Sequence, residues 1–214
     1  MNFFLRFISS IILIPLVILF LYKGSIIFII SLTTFCFISI YEWIKLSKTF
    51  FIKFVGSIFI IFSFTSIYIL RYFDNEKSFY NLIFILLICV STDLGGYIFG
   101  KVFKGPNFTK ISPNKTYAGI LGSYILSIFF SMIFYKYYSS DLSFSNLSII
   151  HIIFYVLFVS TISQIGDLIV SFFKRKAGVK DTGFIIPGHG GLLDRIDGII
   201  FVFPILLILL IKFL

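Results

Sequence analysis

Charged residues are scarce in this sequence, and acidic residues are the scarcest of them. Only 13% of the 214 residues are charged, with nine Asp and Glu against 18 Lys and Arg. A soluble domain carries about 25% of charged residues, because water has to solvate its surface. So low a share excludes an ordinary soluble surface. Lipid is the solvent that suits a chain in which 59% of the residues are hydrophobic.

Cysteine and histidine are also rare, at two residues each. Cys36 and Cys89 both lie in apolar runs, so a disulfide framework is not expected, and neither has the spacing of a metal ligand. His151 and His189 are far apart in the sequence, and a zinc site is therefore not expected either.

Long apolar runs dominate what remains. Seven of them approach the roughly 20 residues that a helix needs to cross about 30 Å of hydrocarbon. They are 4–21, 25–41, 54–72, 81–100, 117–138, 149–170 and 196–214. We therefore expect an all-α polytopic membrane protein with about seven transmembrane helices and a polar cavity open to the cytoplasmic face. We expect 1–214 to form a single integral membrane domain, with the first run retained as a span.

The basic residues indicate the orientation of these spans. Thirteen of the 18 Lys and Arg lie in the N-terminal segment and in connections 42–53, 101–116 and 171–195. The other five lie at or near the opposite ends of the runs and are Lys23, Arg71, Lys77, Lys136 and Lys212. The positive-inside rule places the richer set in the cytoplasm. The net charge of +9 is then expected to serve topology and contacts with membrane lipids, and not nucleic acid.

The acidic residues gather towards the cytoplasmic side. Asp93 lies inside the fourth run and Asp167 inside the sixth, where an ionised carboxylate costs about 2.5–3.5 kcal/mol on insertion scales. At a helical rise of about 1.5 Å per residue, both lie roughly 10 Å below the cytoplasmic face. Asp194 and Asp197 begin the seventh run and share one side of a helix. Glu42, by contrast, is expected to act as an interfacial anchor beside Trp43.

The connection 171–198 combines cations, carboxylates and glycines. Asp oxygens are hard ligands that suit Mg²⁺ together with substrate phosphates. Lys174, Arg175, Lys180 and Arg195 can neutralise phosphate. Glycines at 188, 190 and 191 let the backbone approach a ligand closely and expose its N–H groups. The combination is typical of a site that binds a polyphosphate with a divalent metal.

A second polar element precedes the fifth run. Ser112, Lys115 and Thr116 are donors that could bind phosphate or a nucleotide, or else they form a helix entry with capping residues. Gly95 and Gly96, in the fourth run, are expected to allow close packing of helices.

Read together, these residues resemble the phosphatidate cytidylyltransferase family, also called CDP-diacylglycerol synthases. The family signature is Ser, two residues, Lys-Arg, four residues, Lys-Asp, then His-Gly-Gly, two residues and Asp-Arg-x-Asp. The chain keeps its spacing over 27 positions as Ser171, Lys174-Arg175, Lys180-Asp181, His189-Gly190-Gly191 and Asp194-Arg195-Ile196-Asp197. Upstream matches are Asp93, Gly96-Tyr97, Phe99-Gly100-Lys101, Ser112-Pro113-Asn114-Lys115-Thr116 and Asp167, with Asn114 replacing a common lysine. The motifs fall within 93–198.

The resemblance implies transfer of CMP from CTP to phosphatidate, at a cytoplasm-facing site of a bacterial inner-membrane protein, with a homodimer as the assembly. Mg²⁺ is the implied cofactor, and a second cation is an open alternative. We expect Asp167, Asp194 and Asp197 to hold the metal and Lys174 and Arg175 to contact phosphates. His189 would orient a phosphate or assist proton transfer. The expected substrate-binding residues are Asp93, Ser112, Lys115, Thr116, Ser171, Lys180, Asp181, Gly190, Gly191 and Arg195. Asp93 would line the cavity or join the metal ligands.

Two other functions fit part of the pattern. A CTP-dependent kinase of a polyprenol-type lipid would use the same two kinds of substrate but would release CDP. An ion-coupled or proton-coupled transporter would use Asp93 and Asp167 as pathway residues. Polar residues would then be expected across the full depth of the membrane, and the outer halves of the fourth and sixth runs are apolar.

Overall fold

The computed structural model describes residues 15, 17–73, 77–109, 112, 115–185 and 190–212, and these are largely helical. After a helical stretch over 17–23, the α-helices are α1 (Ser25–Leu46), α2 (Phe50–Phe73), α3 (Ser78–Phe103), α4 (Tyr117–Tyr138), α5 (Ile149–Ala177), α6 (Leu193–Ile196) and α7 (Ile199–Lys212). A 3₁₀ turn, Ser139–Asp141, follows α4. Extended pairing among the described residues is limited to an isolated bridge between Asn107 and Thr116.

Five of these helices are long and apolar enough to cross a membrane. They are Ser25–Leu46, Phe50–Phe73, Ser78–Phe103, Tyr117–Asp141 (which includes the 3₁₀ turn) and Ile149–Ala177. In lipid a helix satisfies all its own backbone groups, which is why such apolar segments adopt this structure. The all-α membrane class is therefore confirmed, but the count of about seven spans is not. Most of the first expected run, 4–21, lies outside the described residues.

The seventh expected run, 196–214, is divided in the structure. A turn at Asp197 and Gly198 separates α6 from α7, and α7 has 14 residues. A helix of that length rises about 21 Å, less than the thickness of the hydrocarbon core. The described part of this run is therefore a shorter apolar helix.

Glycine ends α5 directly after its basic residues. Gly178 has φ of 78°, in the left-handed region, and its N–H donates to the carbonyl of Arg175 at 3.0 Å. The N–H of Val179 donates to the carbonyl of Lys174, also at 3.0 Å. The two bonds form a Schellman cap. Lys174 and Arg175 therefore lie in the last turn of the helix, immediately before the loop that carries the signature.

The chain divides into two compact units, the first formed by Met1–Ile69 with Phe173–Leu214 and the second by Leu70–Phe172. In the first unit, the buried hydroxyl of Ser63 donates to the carbonyl of Ile200 at 2.7 Å and joins α2 to α7. The indole N–H of Trp43 donates to the carbonyl of Ile52 at 3.0 Å, and its ring meets Phe173 edge-on at 4.9 Å.

The second unit packs α3 tightly against α4. A Cβ added at Gly95 would overlap the carbonyl oxygen of Gly122, so the two backbones touch at glycine. The hydroxyl of Ser123 donates to the carbonyl of Thr92 at 2.7 Å, and Thr92 donates to Ser160 of α5 at 2.8 Å. The expected packing role of Gly95 is confirmed. The expectation of a single membrane domain over 1–214 stays a prediction.

Candidate active site

A buried ion pair lies at the centre of a polar cluster in the first unit. Nζ of Lys174 is 2.8 Å from Oδ1 of Asp194, and the two side chains are 11% and 6% exposed. Oδ2 of Asp194 accepts hydrogen bonds from the N–H groups of Thr182 at 2.7 Å and Gly191 at 3.0 Å. We call Glu42, Lys174, Thr182, Gly191 and Asp194 the loop cluster. Its central carboxylate is held by one cation and by the backbone of the signature loop.

Glu42 is a member of the loop cluster that the sequence did not indicate. Its side chain is buried, with 1% exposure, and its oxygens accept from the N–H groups of Leu192 at 2.9 Å and Leu193 at 2.8 Å. The expectation of an interfacial anchor is wrong, because the carboxylate faces backbone donors inside the unit. One feature of the sequence could have indicated this, because an acidic residue at the end of an apolar run needs hydrogen-bond or charge partners when it is buried.

Two glycines allow the signature loop to pass close to the carboxylates of the loop cluster. Gly190 has φ of 91°, and a Cβ there would lie 2.9 Å from Oδ2 of Asp194 and 3.1 Å from the Cβ of Asp181. The N–H of Gly191 already donates to Asp194. The glycines were expected to expose N–H groups to a ligand, and that assignment stays a prediction. In this structure the N–H of Gly191 orients a carboxylate of the protein.

A second lysine–aspartate pair lies in the second unit. Nζ of Lys115 is 2.5 Å from Oδ2 of Asp167, and their side chains are 25% and 26% exposed. Lys115 also approaches the carbonyl of Gln164 at 3.5 Å, and the hydroxyl of Ser171 donates to Oδ1 of Asp167 at 3.2 Å. We call Lys115, Asp167 and Ser171 the Lys115 cluster. It brings together three residues that the sequence assigned to metal or substrate.

Thr116 has a structural role next to that cluster. Its side chain accepts a hydrogen bond from the N–H of Gly119 at 3.1 Å, which caps the first turn of α4. The residue is 8% exposed. The capping alternative is therefore confirmed for Thr116, and its assignment to CTP stays a prediction.

The remaining candidate residues differ in how far they are buried. Asp197 is 7% exposed, and its Oδ1 accepts from the N–H of Gly198 at 2.9 Å. Ser112 is partly buried and its carbonyl accepts from the N–H of Lys115 at 3.0 Å. The exposed candidates are Asp93, Arg175, Lys180, Asp181 and Arg195. His189 and Asn114 lie outside the described residues.

The expected metal can be tested against the chemistry of these groups. Within the described residues, no group of three or more His, Cys, Asp or Glu is arranged to hold a metal ion. The donor chemistry nevertheless suits Mg²⁺, because every candidate ligand is a hard carboxylate oxygen. In the loop cluster two buried carboxylates, Glu42 and Asp194, stand against one described cation, Lys174.

Five apolar helices of spanning length, two of which carry members of the lysine–carboxylate clusters, define an integral membrane protein. The sequence model of the cytidylyltransferase family matches residues 52–213. The chain therefore belongs to the cytidylyltransferase family.

Curated relatives carry a more specific name. The phosphatidate cytidylyltransferase of Staphylococcus saprophyticus is 41% identical over 142 residues, which are 66% of this chain and 53% of that protein. The enzymes of the same name from Staphylococcus haemolyticus and Staphylococcus aureus strain COL are each 39% identical over 142 residues, with the same two shares. The chain spans about half the length of the curated relatives it matches.

Proposed function

We propose that this chain transfers CMP from CTP to phosphatidate and so forms CDP-diacylglycerol and pyrophosphate. The observation that carries the proposal is the buried Lys174–Asp194 pair, which is held by the backbone of the signature loop. Membership of the cytidylyltransferase family and the names of the relatives support the same reaction.

The reaction is a displacement at phosphorus. A phosphate oxygen of phosphatidate attacks the α-phosphorus of CTP, and a new P–O bond forms. The bond from that phosphorus to the oxygen bridging to the β-phosphate breaks, and pyrophosphate leaves with the electron pair. Both substrates are anions, so the protein has to offset their repulsion and hold them in line. No covalent intermediate with the protein is needed.

Lysine and arginine are the residues that would offset this charge. Lys174 and Lys115 are held in place by Asp194 and Asp167, so each ammonium is positioned before a phosphate arrives. Arg175, Lys180 and Arg195 are exposed and would supply further phosphate contacts. Positioned cations of this kind stabilise the charge that develops on the leaving group.

Mg²⁺ is the cofactor we propose, with one or two ligands drawn from Asp167, Asp194 and Asp197 beside the substrate phosphates, and with a second cation as an open alternative. When bound, Mg²⁺ supplies neutralisation of phosphate charge in addition to that of the lysines. The protein's own contribution is to orient Asp194 through the N–H groups of Thr182 and Gly191. Ser171 contributes in the same way by donating to Asp167.

We propose the bacterial inner membrane as the location, with the reaction at its cytoplasmic face and a homodimer as the assembly. Five helices of spanning length and the bacterial relatives support the membrane assignment. CTP is a cytosolic nucleotide and the phosphatidate headgroup lies at the bilayer surface, so a site at that face is accessible to both. The excess of Lys and Arg in the expected cytoplasmic connections supports the orientation.

The test is reconstitution of the full chain in liposomes with phosphatidate, α-labelled CTP and Mg²⁺. We expect the wild type to form labelled CDP-diacylglycerol and to release unlabelled pyrophosphate. We expect Asp194→Asn to lose both products. The matched control is Asp141→Asn, which changes a carboxylate in the 3₁₀ turn after α4 and should keep full activity. Release of CDP in place of pyrophosphate would favour the lipid kinase. Ion uptake by these liposomes without CTP would favour a transporter.

A further inference from the structure

Glu42 is joined to a loop that lies about 150 residues further along the chain. Oε1 accepts from the N–H of Leu192 at 2.9 Å, and Oε2 accepts from the N–H of Leu193 at 2.8 Å. Leu192 is 4% exposed and Leu193 is fully buried, so water cannot replace the carboxylate as their acceptor. Glu42 thus fixes the N–H groups of the two residues immediately before Asp194.

The fit between Glu42 and the loop depends on glycine. A Cβ at Gly191 would lie 2.5 Å from Oε2 of Glu42, and a Cβ at Gly183 would lie 2.7 Å from Oε1. Neither position can carry a larger residue while the carboxylate stays in place. A glycine of the signature is therefore required by an acid outside the signature.

Thr182 connects the two carboxylates. Its hydroxyl oxygen lies 3.0 Å from Oε2 of Glu42 and 3.0 Å from Oδ2 of Asp194. Its backbone N–H donates to the same Oδ2 at 2.7 Å. The residue is 7% exposed, so this network is closed to bulk water. The position of Asp194 consequently depends on the position of Glu42.

We propose that Glu42 and Thr182 are positioning residues, which hold the main chain of 190–193 and thereby direct Asp194 towards Lys174. The part of this inference that is tested by enzyme activity rests on the proposed transfer of CMP. The part that concerns the hydrogen bonds of Glu42 and Thr182 does not depend on that reaction. Residues that orient a ligating or catalytic carboxylate commonly change activity by about 10–100-fold when they are replaced.

Three substitutions distinguish a positioning role of Glu42 and Thr182 from a role in packing alone. Glu42→Gln keeps the size but turns an amide NH₂ towards a backbone N–H, so one donor loses its acceptor. Thr182→Val removes the hydroxyl at nearly constant volume, whereas Thr182→Ser keeps it. The matched control is Ser39→Ala, because Ser39 is also buried in α1 but its hydroxyl donates within that helix, to the carbonyl of Phe35 at 2.7 Å.

The experiment measures amide hydrogen exchange of the full chain in nanodiscs, together with kcat and KM for CTP. We expect Glu42→Gln to raise the exchange rate of Leu192 and Leu193 by about tenfold or more and to lower kcat by about 10–100-fold, with KM changing less. Thr182→Val should show the same pattern more weakly. Thr182→Ser should recover most of the activity, and Ser39→Ala should behave as the wild type.

Several results would overturn the proposal. One is unchanged exchange at 192 and 193 in Glu42→Gln, whatever happens to activity. Another is wild-type kcat in both Glu42→Gln and Thr182→Val. If Glu42→Gln does not fold, the Thr182→Val and Thr182→Ser pair decides the question. If the wild type releases no pyrophosphate from CTP and phosphatidate, the proposed function fails, and the exchange rates still decide the role of Glu42.

Discussion

Nζ of Lys115 lies 2.5 Å from Oδ2 of Asp167, so a residue expected to hold the nucleotide is paired with one expected to hold the metal. Lys174 and Asp194 repeat this relationship at 2.8 Å. In each pair a divalent cation would compete with the ammonium for the carboxylate, and a phosphate would compete with the carboxylate for the ammonium. Under the proposed function, each pair would therefore be opened when a metal and a phosphate bind.

The first prediction concerns Lys115. Replacing it with methionine keeps the length of the side chain but removes the cation, so the proposed phosphate contact would be lost and Asp167 would lose its counter-charge. We expect Lys115→Met to lower kcat/KM by about 10²–10³-fold, the range found when one charge-stabilising donor is removed. The assay is release of pyrophosphate from CTP. Lys136→Met is the control, because Lys136 is exposed near the other end of α4.

The second prediction concerns Lys174 and its neighbour Lys176. Lys174 is buried against Asp194, whereas Lys176, two residues later in the same helix, is exposed. Lys174→Met should lower the free energy of unfolding by about 3–5 kcal/mol, because it leaves a buried carboxylate unpaired. Lys176→Met should change it by no more than about 0.5 kcal/mol. Thermal unfolding in detergent checks both values.

A double-mutant cycle makes this prediction stricter. If the pair at 2.8 Å is the source of the effect, Lys174→Met and Asp194→Asn together should cost less than the sum of the two single changes. Additive costs would show that the two residues do not stabilise each other, and the assigned pair would then be wrong.

The sequence indicated which residue types form the candidate site, but it did not indicate which of them contact one another. Lys174, Asp194 and their glycines were identifiable, because spacing along the chain places these residue types in one short segment. The link from Glu42 to Leu192 was not identifiable, since no periodicity connects an acid in α1 to backbone donors 150 residues later. The division of the seventh run was not predicted, for a related reason. Hydropathy alone does not report the turn at Asp197, which shortens α7.

The third prediction separates two glycines of the first unit. A Cβ at Gly191 would overlap Thr182 and lie 2.5 Å from Glu42, whereas a Cβ at Gly178 meets nothing within 4 Å. Gly191→Ala should therefore destabilise the protein by about 1–3 kcal/mol and also abolish most pyrophosphate release. Gly178→Ala should cost about 1 kcal/mol, from its positive φ of 78°, and keep its activity. Equal activity in the two variants would contradict the loop geometry.

The fourth prediction tests the contact between α3 and α4. A Cβ at Gly95 would overlap the carbonyl of Gly122 and lie 2.8 Å from the Cα of Ser123, and neither backbone atom can move as a side chain can. Gly95→Ala should separate the helices locally and lower the free energy of unfolding by about 1–3 kcal/mol. The control is Leu94→Ala, because Leu94 precedes Gly95 in α3 and is 47% exposed. Thermal unfolding followed by circular dichroism compares them, and the contact is disproved if the Gly95 variant is as stable as the wild type.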